Sequence, residues 1–130
     1  MRYDEFLARV RERGEYDSPH EAAEVTEAVL GVLAQRIGPG EIEDLASQLP
    51  GPLGPGLAGA KQSQPERFGI EEFHRRVAAR VGGRPRTAQW DAGAVLTTVA
   101  DSVSGGELNQ VLSQLPSSYA ALFGKPELTD

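Results

Sequence analysis

The chain has 130 residues, of which 39% are hydrophobic and 25% charged, and its formal net charge is −6 with no cysteine. These proportions are typical of one globular domain rather than a disordered chain, and the absence of cysteine excludes disulfides and thiolate metal sites. No apolar run approaches the length of a membrane-spanning helix and the N-terminus has no apolar leader, so we expect a cytoplasmic protein without membrane contact.

Three helices are predicted in the first half of the chain. The first is indicated by an apolar stripe at helical spacing, formed by Tyr3, Phe6, Leu7 and Val10. The second begins at "SPHE", where Ser18 can cap the helix and Glu21 can complete a capping box, and it ends near "IGPG". The third starts near Gly40 and ends at Pro50. The predicted buried faces of the second and third helices comprise Val25, Ala28, Val29, Val32, Leu33, Ile42, Leu45, Ala46 and Leu49.

The stretch "GPLGPGLAGA" at 51–60 follows the third helix. Its glycines and prolines make a regular helix costly, so we expect irregular and mobile chain there. The segment "KQSQPER" at 61–67 continues it as a linker to the second half.

The second half repeats the plan of the first. Its three predicted helices bury Ile70, Phe73, Val77, Val81, Ala94, Val95, Val99, Leu108, Val111, Leu112 and Leu115. The third of these helices has a predicted capping box in Ser104 and Glu107. A short fourth helix after Pro116 is predicted to have Ser117 or Ser118 as its cap and to turn Tyr119, Leu122 and Phe123 inward. Alternating strand patterns are nearly absent, so the predicted fold class is all-α.

The two halves share sequence as well as plan. "GEIEDLASQLP" at 40–50 and "GELNQVLSQLP" at 106–116 lie 66 positions apart, and the "AVL" at 28–30 recurs at 94–96. We interpret this as an internal duplication, with unit one at 1–60, the linker at 61–67, unit two at 68–124 and a tail at 125–130. A unit of this size is marginally stable alone, so we expect the two to pack about a pseudo-two-fold axis and to share one core.

The strongest local pattern for a metal is "HEAAEVTE", in which His20, Glu24 and Glu27 lie one turn apart on one helix face. A usable site needs three or four ligands in suitable geometry, and carboxylates in a first helical turn also serve the helix dipole. We therefore expect a solvated acidic turn, and no metal or other cofactor. The other histidine, His74, takes the position of Leu7, and we expect its ring to be packed with one nitrogen in water.

One basic cluster could contact an anionic partner: Arg75, Arg76, Arg80, Arg84 and Arg86. A regulatory protein that binds nucleic acid would use such a cluster. The acidic total opposes that hypothesis, since residues 1–66 carry 6 basic and 12 acidic side chains. Pairing with Glu71, Glu72 or the acidic first half is the preferred interpretation.

The doubled phrase contains the repeated glutamines Gln48 and Gln114, which flank the apolar stripe of their helices. Each could hydrogen-bond the end of a neighbouring helix, because side-chain amides satisfy backbone groups well. Glycine-rich phosphate motifs, a nucleophile elbow and a cysteine nucleophile are all missing. We therefore expect no enzyme activity.

The paired motifs "FLARV" and "FHRRV", the "AVL" pairs, the doubled "SQLP" phrase and the ending "QLPSSYAALFG" resemble an uncharacterised bacterial family, domain of unknown function 2267. The resemblance spans nearly the whole chain and implies a small helical bacterial protein without assigned catalytic residues. Our leading hypothesis is a non-catalytic module for self-association or for binding another protein. Nucleic-acid binding through the arginine cluster is the first alternative, and a small-ligand or metal carrier at the groove between the units is the second.

Overall fold

The computed structural model describes residues 1–125, apart from the side chain of Pro85. Within this range the regular elements are all helices, which confirms the all-α class. The helices are α1 (Tyr3–Gly14), α2 (Pro19–Arg36), α3 (Pro39–Ala46), α4 (Leu53–Ala60), α5 (Ile70–Val81), α6 (Pro85–Ser102), α7 (Gly105–Ser113) and a final 3₁₀ helix (Ser117–Phe123). None of them is both long and apolar enough to span a bilayer.

The two predicted serine caps are confirmed, but the capping boxes are not completed by the expected glutamates. Ser18 accepts a hydrogen bond from the Glu21 amide, and Ser104 accepts one from the Glu107 amide. The Glu21 carboxylate accepts instead from the amide of Asp17, one residue before the cap. The Glu107 carboxylate is buried against α3, as described below.

The predicted apolar faces form the core. Every residue predicted to be buried on the second and third helices of each half is buried, as are Phe6, Leu7 and Val10 on α1 and Phe73 and Val77 on α5. Tyr3, Ile70 and Val81 are partly buried and pack against the same cluster. One contiguous hydrophobic cluster includes side chains from all eight helices.

The prediction of irregular chain at 51–60 is wrong, because this stretch contains α4. Pro52 is the N-cap of α4 and Pro55 is its third residue, where backbone amides have no partner within the helix, so neither proline removes a helical hydrogen bond. Leu53 and Leu57, one turn apart, bury the inner face of α4. Gly54 allows α4 to approach the end of α3, since a Cβ there would lie 2.6 Å from the carbonyl oxygen of Ala46.

The last helix is a 3₁₀ helix, and its inward residues are as predicted. Tyr119, Leu122 and Phe123 are buried. The N-cap is Pro116, so the prediction of a serine cap at Ser117 or Ser118 is wrong. The predicted tail at 125–130 lies outside the described residues except for Lys125.

The helices of the two halves pack against each other in a reciprocal way. α1 lies on α6 and α5 lies on α2, while α2 contacts α6 and α3 contacts α7. The lengths also correspond, since α1 and α5 have 12 residues each and α2 and α6 have 18 each. The reciprocity is what the predicted pseudo-two-fold axis requires; the axis and the duplication remain our interpretation.

Phe68, the first residue after the linker, is held by side chains from three different helices. The carbonyl oxygen of Phe68 accepts hydrogen bonds from Arg36 Nε at 2.8 Å and from the Tyr119 hydroxyl at 3.0 Å. The Arg76 guanidinium stacks over the Phe68 ring, 4.0 Å from its centroid. These contacts fix the position at which the second half begins.

Candidate functional site

The predicted weak metal candidates lie on the surface of α2. His20 Nε2 and Glu24 Oε1 are 3.3 Å apart, and both side chains are largely exposed. Glu27 is exposed one turn further along. Within residues 1–125, the group of three acidic or histidine side chains close enough to share a cation lies elsewhere, between α3 and α7.

The structure separates the five arginines of the basic cluster. Arg75 is paired with Glu72, and Arg76 bridges Glu72 and Glu66 at 2.9 and 3.0 Å. These contacts lower the pKa of both glutamates, chiefly through the hydrogen bonds that Arg76 donates.

The other three arginines are not part of this network. Arg80 lies across α2 beside Gly31, Arg84 is the N-cap of α6, and Arg86 lies on the opposite rim of α6. Two of the five arginines are thus paired with acidic side chains of this chain, and contact of the cluster with an anionic partner stays a prediction.

The ring of His74 is packed against the core, as predicted. The residue is 8% exposed, its ring lies edge-on to Phe73, and Nδ1 is buried without a hydrogen-bond partner within the described chain. Burial lowers the pKa of His74, which favours the neutral ring. The packed ring is thus confirmed.

The repeated glutamines cap each other's helices. The amide of Gly38, the N-cap of α3, donates to Gln114 Oε1 at 2.9 Å. The amide of Ser104, the N-cap of α7, donates to Gln48 Oε1 at 2.7 Å. This exchange confirms that each glutamine bonds a neighbouring helix end, and it joins the two halves through their equivalent residues.

Two further residues of the doubled phrase meet at the same place. Glu41 and Glu107 each occupy the third position of their helix, from which a glutamate usually reaches back to the amide of the N-cap residue. The glutamines of the opposite half already hold those two amides, so the carboxylates point towards each other. Asp44, one turn further along α3, completes the group.

The electrostatics of this carboxylate cluster (Glu41, Asp44 and Glu107) are unusual. Burial, and then the neighbouring Glu41 and Asp44 carboxylates, raise the pKa of Glu107 to about 8. The Oε2 atoms of Glu41 and Glu107 are buried and have no hydrogen-bond partner within residues 1–125. The sequence showed both glutamates at equivalent positions of the repeated phrase, but it did not show that they would face each other.

A second feature that the sequence analysis missed is a groove along the exposed side of α6. Its volume is about 880 Å³, and the end of the 3₁₀ helix with the two residues after it, 121–125, forms its other wall. One stripe of α6 lines it at helical spacing: Arg86, Trp90, Gly93, Thr97 and Asp101. Trp90 is 53% exposed, and its indole Nε1 donates to the carbonyl oxygen of Gly14 at 3.0 Å, which fixes the orientation of the ring. The helical spacing of these five residues can be read from the sequence. The exposure of Trp90 cannot, because it depends on which helices pack against α6.

The comparisons with known proteins identify a family that covers most of the chain. Residues 3–122 match the family described as an uncharacterized conserved protein, domain of unknown function 2267. The chain belongs to this family. No curated protein matches the chain. The match covers α1 to α7 and all but the last residue of the 3₁₀ helix, so both glutamine caps and the carboxylate cluster lie within the family's extent.

Proposed function

We propose that this protein is a non-catalytic bacterial module that self-associates in the cytoplasm, with two copies packing α6 against α6 in antiparallel orientation. The observation that carries the proposal is the exposed Trp90 beside a hollow on the same face of the same helix. Gly93 and Thr97 form that hollow, and a Cβ built on Gly93 meets no atom within 4 Å. The α6 stripe (Arg86, Trp90, Gly93, Thr97 and Asp101) therefore presents a protruding side chain and a recess on one surface. Trp90 is the protruding side chain, and Gly93 and Thr97 form the recess.

A two-fold axis halfway between Gly93 and Ala94 makes this surface complementary to itself. Trp90 of each copy then lies opposite Thr97 of the other, and Arg86 lies opposite Asp101. An isologous interface requires this kind of pairing, in which residue i meets residue j and j meets i. Tryptophan and arginine are also the residues that most often anchor protein interfaces.

The charges at the ends of the stripe support the same arrangement. Arg9 and Arg13 both contact Oδ2 of Asp101, at 3.3 and 2.6 Å. Within residues 1–125 the other oxygen, Oδ1, has no ion-pair partner, and Arg86 has none either. On association, Arg86 of each copy can thus pair with Oδ1 of Asp101 in the other copy. An exposed ion pair of this kind contributes only about 0–1 kcal/mol.

The hydrogen bond of the Trp90 indole lowers the entropic cost of association. A side chain already held in one orientation loses less freedom when a partner covers it. The first half of the chain is acidic and the net charge is −6, so repulsion between copies should weaken the dimer at low salt. We expect self-association to strengthen as the ionic strength rises.

Sedimentation velocity over a wide concentration series tests the proposal. The wild-type chain should change from monomer to dimer, while Trp90→Ala should stay monomeric over the same range. Gly93→Gln is the sharper variant, because the site has room in the monomer and glutamine is a better helix former than glycine. It should fold at least as stably as the wild type and fail to dimerise.

Two matched charge reversals distinguish a specific contact of the α6 stripe from a general effect of net charge on association. Arg86→Glu should weaken the dimer, whereas Arg84→Glu, two residues away at the N-cap of α6 and outside the groove, should leave it nearly unchanged. A wild-type chain that stays monomeric throughout, or a Gly93→Gln chain that dimerises as the wild type does, would overturn the proposal.

A further inference from the structure

The three carboxylates that meet between α3 and α7 have a geometry suited to a ligand. We propose that Glu41, Asp44 and Glu107 together bind one divalent cation of the hard, oxygen-seeking class, such as Mg²⁺, Mn²⁺ or Ca²⁺. Each residue offers one carboxylate oxygen, and these three oxygens all lie within 4.8 Å of one another. The site is independent of the groove along α6.

The buried oxygen atoms without partners are the second observation that points to a ligand. Glu41 and Glu107 are only 9% and 8% exposed, and Oε2 of each lacks a hydrogen-bond donor within the described chain. Two carboxylates buried face to face are costly unless a positive charge or a proton lies between them. Because Gln48 and Gln114 already hold the N-cap amides, neither glutamate accepts the hydrogen bond that a capping box would give it.

The number of carboxylates favours a cation over a shared proton. One proton neutralises a single carboxylate, whereas a divalent cation offsets two of the three charges and can contact one oxygen of each residue. Oxygen-only ligand sets select Mg²⁺, Ca²⁺ and Mn²⁺ over softer metals. Asp44 is exposed, so it can provide the path of entry, and waters can complete the coordination.

The helix ends limit the affinity. The N-termini of α3 and α7 both carry partial positive charge, which stabilises carboxylates and opposes a cation. Three protein ligands are also fewer than the six or more oxygens that surround a tightly bound Ca²⁺. We therefore expect binding in the range of about 10⁻⁵–10⁻³ M, which is typical of weak oxygen sites.

Titration calorimetry of the chelator-treated full-length protein tests the proposal with MgCl₂, MnCl₂ and CaCl₂ as probes. At least one cation should bind with a stoichiometry of one per chain and should raise the melting temperature. Glu41→Gln and Glu107→Gln should abolish binding, and Asp44→Asn should weaken it about tenfold or more because it removes a charged ligand.

The control is Glu71→Gln, which removes the same charge from an exposed position in the first turn of α5. This variant should bind the cation as the wild type does. Folding of the glutamine variants is checked by their melting temperature in chelator. The absence of binding by all three cations would overturn the proposal, as would wild-type binding by Glu107→Gln. If no cation binds and Glu107→Gln melts at a higher temperature, a shared proton holds the pair instead.

Discussion

Replacement of Gly54 by alanine should destabilise the protein, although the same change in a helix usually stabilises it. Gly54 lies where α4 meets the end of α3. A Cβ built there lies 2.6 Å from the carbonyl oxygen of Ala46 and 3.4 Å from that of Leu49. Both oxygens belong to the backbone, so no side chain can move aside. Alanine fits only if α3 and α4 separate.

The expected magnitude follows from two opposing terms. Overpacking of a closed contact costs roughly 1–3 kcal/mol. The better helix propensity of alanine returns up to about 1 kcal/mol. A Cβ only 2.6 Å from a backbone oxygen places the cost in the upper part of that range, about 2–3 kcal/mol, so the net loss should be about 1–2 kcal/mol. For a chain of this length, each kcal/mol changes the melting temperature by about 3–4 °C, so Gly54→Ala should lower it by roughly 3–8 °C.

Thermal and urea unfolding followed by circular dichroism measure this effect against a matched control. Gly56 lies in the same helix, but a Cβ there meets no atom within 4 Å. Gly56→Ala should therefore raise the stability by about 0.5–1 kcal/mol. If Gly54→Ala is as stable as Gly56→Ala, α4 does not pack against α3 as described and the reasoning fails.

Three further variants test the polar interior. Gln48→Ala should cost about 0.5–2 kcal/mol in urea unfolding because the cap of α7 is lost, whereas Gln110→Ala, exposed on α7, should change little. The pKa of Glu107, about 8 against an ordinary 4.5, means that the folded chain keeps this proton longer than the unfolded chain. In chelator, the stability that comes from this proton should therefore be fully present below about pH 4.5 and be lost as the pH rises to about 8. Glu107→Gln should flatten this decline in the free energy of unfolding. A variant whose stability falls with pH as steeply as that of the wild type would contradict the assignment. His74→Leu should stabilise the fold by about 1 kcal/mol, because it removes an unpartnered buried nitrogen at the position that Leu7 occupies in the first half. A loss of stability would show that both ring nitrogens have hydrogen-bond partners.

The apolar pattern of the sequence predicted most of the fold because helical spacing reports directly on burial. The prediction failed at α4, because we gave the glycine and proline content of this stretch more weight than the helical spacing of its leucines. Leu53 and Leu57 already had the spacing of one helix face, but the prolines and glycines between them suggested irregular chain. Proline is costly in the middle of a helix and tolerated in its first turn, so the position of Pro55 mattered more than its presence.

The candidate sites were less predictable because they depend on packing between distant elements. The sequence predicted that Gln48 and Gln114 bond helix ends, and the repeat offset places Glu41 and Glu107 at equivalent positions. That the glutamines displace the glutamates from their cap amides follows only once α3 lies beside α7. The exposure of Trp90 likewise depends on packing, since it lies in the groove that α1 and the 3₁₀ helix leave open along α6.

Differential scanning calorimetry of the full-length chain tests the central claim most directly, namely that the two halves share one hydrophobic core and are joined by the residues of the doubled phrase. A single transition with equal calorimetric and van't Hoff enthalpies is predicted, and Gln48→Ala should move that transition to lower temperature without splitting it. Two separable transitions, one for each half, would contradict the account.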